Sequence, residues 1–135
     1  MNYLGKMMYI LDTDLLIELS RGSSAVQGRM SEAGLSNCCI SEISLAELYV
    51  GYFKKKRLDP LISFVEKYLA VVPVSGAIKQ YAQIRAHLEE QGNRLEDMDL
   101  FIAATALAGG YTLVTHNTRH FSRIPGLQME DWLEE

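Results

Sequence analysis

Three acidic residues, Asp12, Glu47 and Asp99, lie inside strongly apolar stretches of the sequence. No lysine or arginine shares any of these stretches, so no neighbouring cation in the sequence can neutralise the carboxylates. An ionised carboxylate in an apolar setting is costly unless it takes up a proton, pairs with a cation or binds a metal. A divalent metal shared by the three acids is the interpretation that the sequence favours.

Helical periodicity directs two of these acids toward the core. Glu47 aligns with Ile43 and Val50, and Asp99 aligns with Ile102, because residues three or four positions apart share one face of a helix. Hard cations such as Mg²⁺ take carboxylate oxygens and retain several waters, which suits convergent acids without His or Cys.

Each acid also has a purely structural interpretation. Asp12 could cap the first helix, and Glu47 could close a capping box with Ser44. Asp99 could stabilise the first turn of its helix through the helix dipole, together with Asp97. Caps normally face solvent, whereas these acids follow apolar stripes, so the metal interpretation is preferred for the three taken together.

The elements that must position these acids alternate along the chain. Short apolar runs between longer helical patterns are typical of an α/β domain with a mostly parallel sheet. The predicted strands cover residues 7–11, 37–40, 71–74, 111–115 and 127–129. The predicted helices cover 13–20, 24–33, 41 or 44 to 55, 60–69 and 76–91, and a last helix contains Asp99 and follows Asp97. Pro73 indicates an edge strand or a strand end. Reactive groups in such sheets collect at the carboxyl ends of the strands, where Asp12, Thr115 and Asn117 stand.

Capping and breaking residues set the expected helix boundaries. Asp59 before Pro60, then Ser75 and Asp97, are the predicted N-caps of the last three helices. Gly110 follows Gly109 and is predicted to end the last helix.

The composition bounds the class of protein. A length of 135 residues with 48% hydrophobic content suits one domain over residues 1–135, in which residues 1–6 could be an N-terminal extension. The net charge of −4 excludes a global basic field for nucleic acid. Local basic groups remain, namely Lys54 and Lys55 in the run 54–57, and Arg119, His120 and Arg123. A solvated helix end explains the lysine run equally well.

The cysteines and the hydropathy indicate the compartment. Cys38 and Cys39 are adjacent and are the only cysteines, which fits small buried residues in a reducing compartment. The first residues lack the pattern of a signal peptide, and no apolar run approaches the roughly 20 residues of a membrane span. We therefore expect a cytoplasmic protein without a membrane segment.

Five segments, in their order, resemble a known family. The five segments are residues 11–14, 40–48, 99–106, 113–121 and 124–132. The first four occur in the order seen in PIN-domain ribonucleases, and the last resembles the tail of the VapC toxins of bacterial toxin–antitoxin pairs. The resemblance spans residues 7–133. It implies a PIN-like three-layer domain with a mostly parallel central sheet flanked by helices.

The resemblance also implies a set of site residues. Asp12, Glu47 and Asp99 would bind Mg²⁺ or Mn²⁺, and Thr115 would support the site. The implied reaction is metal-dependent hydrolysis of RNA phosphodiester bonds, leaving 5′-phosphate and 3′-hydroxyl ends, with Glu47 completing the metal shell or orienting the attacking water. The implied partners are a cognate antitoxin, an RNA substrate in which transfer RNA is the closest impression, and a second copy of the chain.

The chain departs from the family pattern just after the strand that ends at Thr115. Many PIN domains carry a fourth acid there, whereas the nearby residues are Asn117 and His120. Asn117 could bind the metal through its carbonyl or a water, and His120 is interpreted as an RNA contact or a surface residue. Asn117, Asp97 and Thr13 are candidate accessory residues.

Two other functions remain open. Residues 12–14 resemble the nucleophile motif of haloacid-dehalogenase-like phosphatases, with Asp12 as nucleophile and Asp14 as acid or base, although the lysine that this chemistry needs is missing from a convincing strand end. The absent fourth acid also permits a catalytically degraded PIN-like binding module. Metal-dependent RNA cleavage discriminates both from a nuclease.

Overall fold

A five-stranded sheet, parallel throughout, forms the centre of the molecule. The computed structural model describes residues 8–55 and 58–133. The strands are β1 (Tyr9–Leu11), β2 (Cys38–Ser41), β3 (Ala70–Val72), β4 (Thr112–Val114) and β5 (Met129–Glu130). Their spatial order is β3-β2-β1-β4-β5, and each neighbouring pair is parallel. The predicted mostly parallel sheet is confirmed, and Pro73 directly follows the edge strand β3.

Helices connect the strands and cover both faces of the sheet. They are α1 (Thr13–Ser20), α2 (Ser24–Ala33), α3 (Glu42–Lys55), α4 (Asp59–Tyr68), α5 (Ile78–Glu90), α6 (Asp97–Gly109) and α7 (Thr118–Phe121), with 3-10 turns at Leu35–Asn37 and Val74–Ala77. Each predicted helix is present, although α5 starts two residues later than predicted. The short α7 was not predicted.

Two hydrophobic cores lie on opposite faces of the sheet, because successive side chains of a strand point in opposite directions. Leu11 and Ile40 pack with α1 to α4 on one face. Ile10 and Cys39 pack with α5, α6 and Phe121 of α7 on the other. The strands are short and apolar because both of their faces are covered. This arrangement is the predicted three-layer α/β domain, and Cys38 and Cys39 are buried free thiols, as expected.

Two predicted N-caps are wrong because the side chains have other partners. Leu58 occupies the N-cap position of α4, and Asp59 is the first helical residue. The Asp59 carboxylate faces the phenol of Tyr52 and raises the pKa of that tyrosine. Asp97 is likewise the first residue of α6, and its carboxylate accepts a hydrogen bond from the hydroxyl of Tyr81 at 2.7 Å.

The boundaries of α5 and α6 follow local backbone chemistry. Ser75 does not cap α5, because it lies within the 3-10 turn that begins after Pro73. Gly110 ends α6 in the left-handed conformation with φ of 70°, as predicted. A side chain at the preceding residue, Gly109, would collide with the ring of Tyr111, so this close approach requires glycine.

Some predictions fall outside the described residues. They are the start of the first strand at residue 7, the extension at residues 1–6, and residues 56 and 57 of the basic run. Within residues 8–55 and 58–133, no helix combines the length and the apolar character needed to cross a membrane.

Candidate active site

The carboxyl ends of β1 and β4 lie side by side, and a polar residue follows each strand. Leu11 pairs with Val114 in the sheet, which places Asp12 next to Thr115. The hydroxyl of Thr115 donates to Oδ2 of Asp12 at 2.9 Å and accepts the backbone N–H of Asn117 at 3.0 Å. Thr115 is fully buried. The sheet register therefore fixes the orientation of the Asp12 carboxylate.

Asp12 also occupies the N-cap position of α1. Its Oδ1 accepts the backbone N–H of Thr13 at 2.8 Å, while its Oδ2 accepts from Thr115. The capping interpretation and the site interpretation thus both apply to this residue, since each uses a different carboxylate oxygen.

Glu47 lies in the second turn of α3 and contacts the start of α1. The hydroxyl of Thr13 donates to Oε1 of Glu47 at 3.1 Å. The capping-box interpretation is wrong, because the backbone N–H of Ser44 donates to the hydroxyl of Ser41 at 3.0 Å instead. Glu47 is therefore available to the same edge of the sheet as Asp12.

Asp99 lies in the first turn of α6, where it contacts α7. Its Oδ2 lies 2.9 Å from Nε2 of His120. The two side chains are partly exposed, 31% for Asp99 and 27% for His120. His120 is thus placed against one of the predicted metal ligands.

A fourth acid, Asp14, joins the site and was not among the predicted site residues. Its Oδ1 accepts the backbone N–H of Leu15 at 2.8 Å, and its Oδ2 accepts the backbone N–H of His116 at 3.0 Å. The hydroxyl of Thr115 lies 3.5 Å from the same Oδ2. The sequence signal for Asp14 was its position two residues after Asp12, which entered only the phosphatase alternative.

The electrostatics of Asp12 indicate a missing positive charge. Burial, followed by repulsion from Asp14, raises the pKa of Asp12 from 3.8 to about 7, with a smaller contribution from Glu47. Hydrogen bonds from Thr115 and Thr13 oppose this rise but do not cancel it. Asp12 is therefore a carboxyl group whose ionised form the folded chain does not adequately stabilise.

The neighbouring carboxyl groups share this property. Burial is the largest cause of the raised pKa of Glu47, and the negative charges of Asp99 and Asp14 add to it, against the hydrogen bond from Thr13. Burial also raises the pKa of Asp14, while its hydrogen bond from the backbone of His116 lowers it. The acids are close enough to disfavour one another's ionisation.

The donor set suits a hard divalent cation. In the described part of the chain, no Lys or Arg forms an ion pair with Asp12, Asp14 or Glu47. Carboxylate oxygens with an unmet positive charge are what Mg²⁺ and Mn²⁺ bind. Among these same residues, no three His, Cys, Asp or Glu side chains are close enough together to hold a metal as they stand. The carboxylates would therefore have to move closer together to share a metal.

Among the described residues, the side chains of two candidate accessory residues, Asp97 and Asn117, form no hydrogen bond with Asp12, Asp14 or Glu47. Asp97 accepts hydrogen bonds from Tyr81 and, at 3.4 Å, from Arg85, both on α5. Asn117 is exposed, and its backbone N–H rather than its amide contacts Thr115. Thr13, the third accessory candidate, bridges α1 to the carboxylate of Glu47.

The predicted RNA-binding residues lie at the surface in two places. Arg119 is exposed within α7, and Arg123, exposed just after that helix, donates to the backbone carbonyl of Arg94 at 3.4 Å. Lys54 and Lys55 are exposed in the last turn of α3. The former group is close in sequence to His120 and shares its side of the molecule.

Comparison with known proteins identifies relatives over most of the chain. The family model of the PIN domain matches residues 9–127. The tRNA(fMet)-specific endonuclease VapC of Shigella flexneri is 31% identical over 128 residues, which cover 92% of this chain and 97% of that relative. Ribonuclease VapC2 of Haemophilus influenzae is 31% identical over 130 residues, covering 93% and 98%.

Solved structures agree with this relationship. DNA-bound VapBC from Salmonella typhimurium matches with a TM-score of 0.84 and 32% identity, covering 93% of this chain and 98% of that one. VapBC2 from Rickettsia felis, bound to a promoter DNA fragment, matches with a TM-score of 0.83 and 30% identity, covering 93% and 99%. With its parallel sheet and with acids that follow β1 and lie in the second turn of α3 and the first turn of α6, the chain belongs to the PIN-domain family, as one of its VapC-type ribonucleases.

Proposed function

We propose that the chain is a Mg²⁺- or Mn²⁺-dependent endoribonuclease that acts in the cytoplasm as the toxin of a type II toxin–antitoxin pair, with transfer RNA as its substrate. The relatives from Shigella flexneri and Salmonella typhimurium carry the name tRNA(fMet)-specific endonuclease, which supports this substrate class. The observation that carries the metal dependence is the clustering of the Asp12, Asp14 and Glu47 carboxylates around Thr13 and Thr115, with no Lys or Arg of the described residues paired with them.

The metal would be held by Asp12, Glu47 and Asp99, with Asp14 as a neighbouring carboxylate. When bound there, a divalent cation would lower the pKa of a water molecule and would offset the negative charge that develops on the phosphoryl oxygens. The ionised acids repel one another and destabilise the metal-free protein, and a bound cation would relieve this repulsion.

The chain's own residues orient these carboxylates. Thr115 and the backbone N–H of Thr13 each hold one oxygen of Asp12, and two backbone N–H groups hold Asp14. The hydroxyl of Thr13 holds Glu47, which fits a role in aligning the attacking water. The exposed cations beside α7 can contact the RNA backbone, whose phosphates dominate affinity.

RNA cleavage with and without a chelator tests this function. Asp12→Asn, Glu47→Gln and Asp99→Asn should each reduce Mn²⁺-dependent cleavage of transfer RNA to the level of chelated wild type, with unchanged circular dichroism. Glu90→Gln, which removes an exposed carboxylate at the end of α5, should cleave normally. Full activity in Asp99→Asn would remove Asp99 from the site, and cleavage in the chelator would contradict metal dependence.

RNA cleavage and phosphate release together address the two alternative functions. A degraded binding module would cleave no RNA in any metal. A phosphatase of the haloacid-dehalogenase type would release phosphate from an aryl phosphate, but in the described residues no lysine pairs with Asp12.

The partner part of the proposal is a homodimer that an antitoxin inhibits. Large apolar side chains are exposed on α3 and α4, with Phe53 69% and Val50 53% accessible. The solved relatives from Salmonella typhimurium and Rickettsia felis are VapBC assemblies. An antitoxin arginine directed at Asp12 and its neighbours would satisfy the charge that the metal otherwise meets. Inhibition that survives an Arg-to-Ala change in the cognate antitoxin would contradict this arrangement.

A further inference from the structure

We propose that a cleft between the end of α5 and the segment that leads into α6 binds one unpaired nucleobase of the RNA, beside the phosphate that is cleaved. The inference rests on the proposed function and deepens it, because it adds a subsite for a base to the site for the phosphate. Such a subsite would give the enzyme a preference for particular bases next to the cut.

The lining of this α5–α6 cleft matches the surface of a base. Leu88, Leu95 and Leu100 contribute apolar surface, while Asn93 and Arg94 contribute an amide and a guanidinium. The cleft has a volume of about 340 Å³, which is within the range of sites for small organic ligands. A nucleobase has flat faces that stack and a polar edge that forms hydrogen bonds. The cleft offers a partner for each of these parts.

The guanidinium of Arg85 lines the cleft and is held in one orientation. Its Nε donates to Oε2 of Glu89 at 2.8 Å, and its Nη1 donates to the hydroxyl of Tyr81 at 2.8 Å and to Oδ1 of Asp97 at 3.4 Å. The ring of Tyr81 is itself stacked on that of Phe101, with centroids 4.0 Å apart. These hydrogen bonds use the edge of the guanidinium, because its N–H groups lie in its plane. The flat face of a fixed arginine is a surface on which RNA bases stack.

The cleft adjoins the acids of the active site. Asp97, which lines the cleft, is the first residue of α6 and lies two residues before Asp99. Burial is the main cause of the raised pKa of Glu47, and the charge of Glu96, another residue of the lining, adds to it. The cleft and the carboxylates are therefore neighbours. A phosphate held at the acids would have a flanking base within reach of the cleft.

Contacts of α7 connect the exposed arginines to the same cleft. His120 on α7 lies against Asp99, with Nε2 2.9 Å from Oδ2. Arg123, just after α7, donates at 3.4 Å to the backbone carbonyl of Arg94, which borders the cleft. An RNA strand whose phosphates contact the arginines of this region would therefore pass Asp99 and reach the cleft.

The charge of the lining favours a base over a phosphate. Three carboxylates, those of Glu89, Glu96 and Asp97, line the cleft together with the two guanidinium groups of Arg85 and Arg94. The excess of negative charge disfavours a phosphate inside the cleft. An uncharged base avoids this repulsion, so the base is the part of the nucleotide that enters.

RNA that lacks one base tests this subsite. The cut in a hairpin made from the cleaved arm of a transfer RNA is first mapped, and abasic residues are then placed singly at two positions on each side of it. At one of these positions, the missing base should lower kcat/KM of wild type in Mn²⁺ at least about fivefold, since one stacked base is lost.

Two variants should abolish this abasic penalty. Arg85→Leu removes the guanidinium plane, and it should cleave intact and abasic RNA with the same kcat/KM. Its matched control is Arg21→Leu, which removes an exposed arginine that pairs with Glu18 of α1 and should keep the full penalty. Asn93→Trp fills the cleft from its exposed rim and should also abolish the penalty, whereas Gln91→Trp, an exposed change outside the lining, should keep it.

The outcomes separate the subsite from the proposed function. If wild type cleaved every abasic RNA as well as intact RNA, or if folded Arg85→Leu and Asn93→Trp kept the penalty, the inference would be overturned and metal-dependent cleavage would stand. An equal loss on intact and abasic RNA would mean that Arg85 only supports Asp97. If wild type cleaved no RNA in Mn²⁺, the proposed function would fail as well.

Discussion

Asn in place of Asp12 should stabilise the metal-free protein at neutral and alkaline pH. The folded chain raises the pKa of Asp12 to about 7, so keeping this group ionised costs folding free energy. Asn removes the charge and keeps the shape of the side chain. Its carbonyl can still accept from the backbone of Thr13, and its amide can donate to the hydroxyl of Thr115.

The magnitude and its pH dependence follow from linkage. About three pKa units separate 3.8 from 7, which corresponds to about 4 kcal/mol at 1.36 kcal/mol per unit. Asp12 is not fully enclosed, and Asn loses the charge-assisted hydrogen bonds that Asp12 makes. We therefore expect Asp12→Asn to raise the unfolding free energy at neutral pH by about 2 kcal/mol. Because the folded state holds the proton more tightly, wild type loses stability as the pH rises from about 4 to 7 and is constant above that range.

Thermal unfolding in chelator from pH 4 to pH 8.5 measures this effect. Asp12→Asn should melt together with wild type at pH 4 and about 8 °C above it at pH 8. Glu90→Gln, an exposed change of the same charge, should follow wild type throughout. If Asp12→Asn melted no higher than wild type at pH 8, Asp12 would be an ordinary helix cap and the charge deficit would not exist.

Three further results are expected. Mn²⁺ at a hundred times its Kd should add about 2.7 kcal/mol to the unfolding free energy of wild type in a thermal shift assay and much less to Asp12→Asn; equal shifts would place the metal elsewhere. Thr115→Val should lower the unfolding free energy measured in urea by about 1 to 3 kcal/mol, because the buried carboxylate of Asp12 and the backbone N–H of Asn117 lose their hydrogen-bond partner. Without that hydrogen bond the pKa of Asp12 should rise above 7. Gly109→Ala should destabilise the protein by about 1 to 3 kcal/mol, because the added methyl group collides with Tyr111. Gly28→Ala, in open space within α2, should stabilise the protein by up to about 1 kcal/mol. If both variants changed the stability in the same direction, the steric explanation would be refuted.

The sequence predicted best what depends on periodicity and strand order. Asp12 and Thr115 could be placed together because both directly follow apolar runs, and parallel strands bring such ends to one edge. Glu47 could be directed toward that edge because it interrupts an apolar helical stripe. Each of these patterns is local in the sequence, and each places its residue at the same edge of the sheet.

Contacts set by tertiary packing could not be read from the sequence. Asp14 sits in a first helical turn, where an acid is ordinary, and only the loop after β4 reveals its role through the backbone of His116. His120 meets Asp99 because of how the four-residue α7 packs, and so short a helix carries no periodic signal. Asp97 resembles a cap in sequence, but its partner Tyr81 lies on another helix.

The hydrogen bond between Thr115 and Asp12 joins residues 103 positions apart. The backbone of Thr115 is held in turn by the carbonyl of Glu130, and the side chain of Glu130 pairs with Arg29. During synthesis the ribosome must add more than a hundred residues after Asp12 before the hydroxyl of Thr115 that supports its carboxylate exists. A site assembled from segments so far apart in the sequence is therefore expected to be inactive on the nascent chain until β5 has been made.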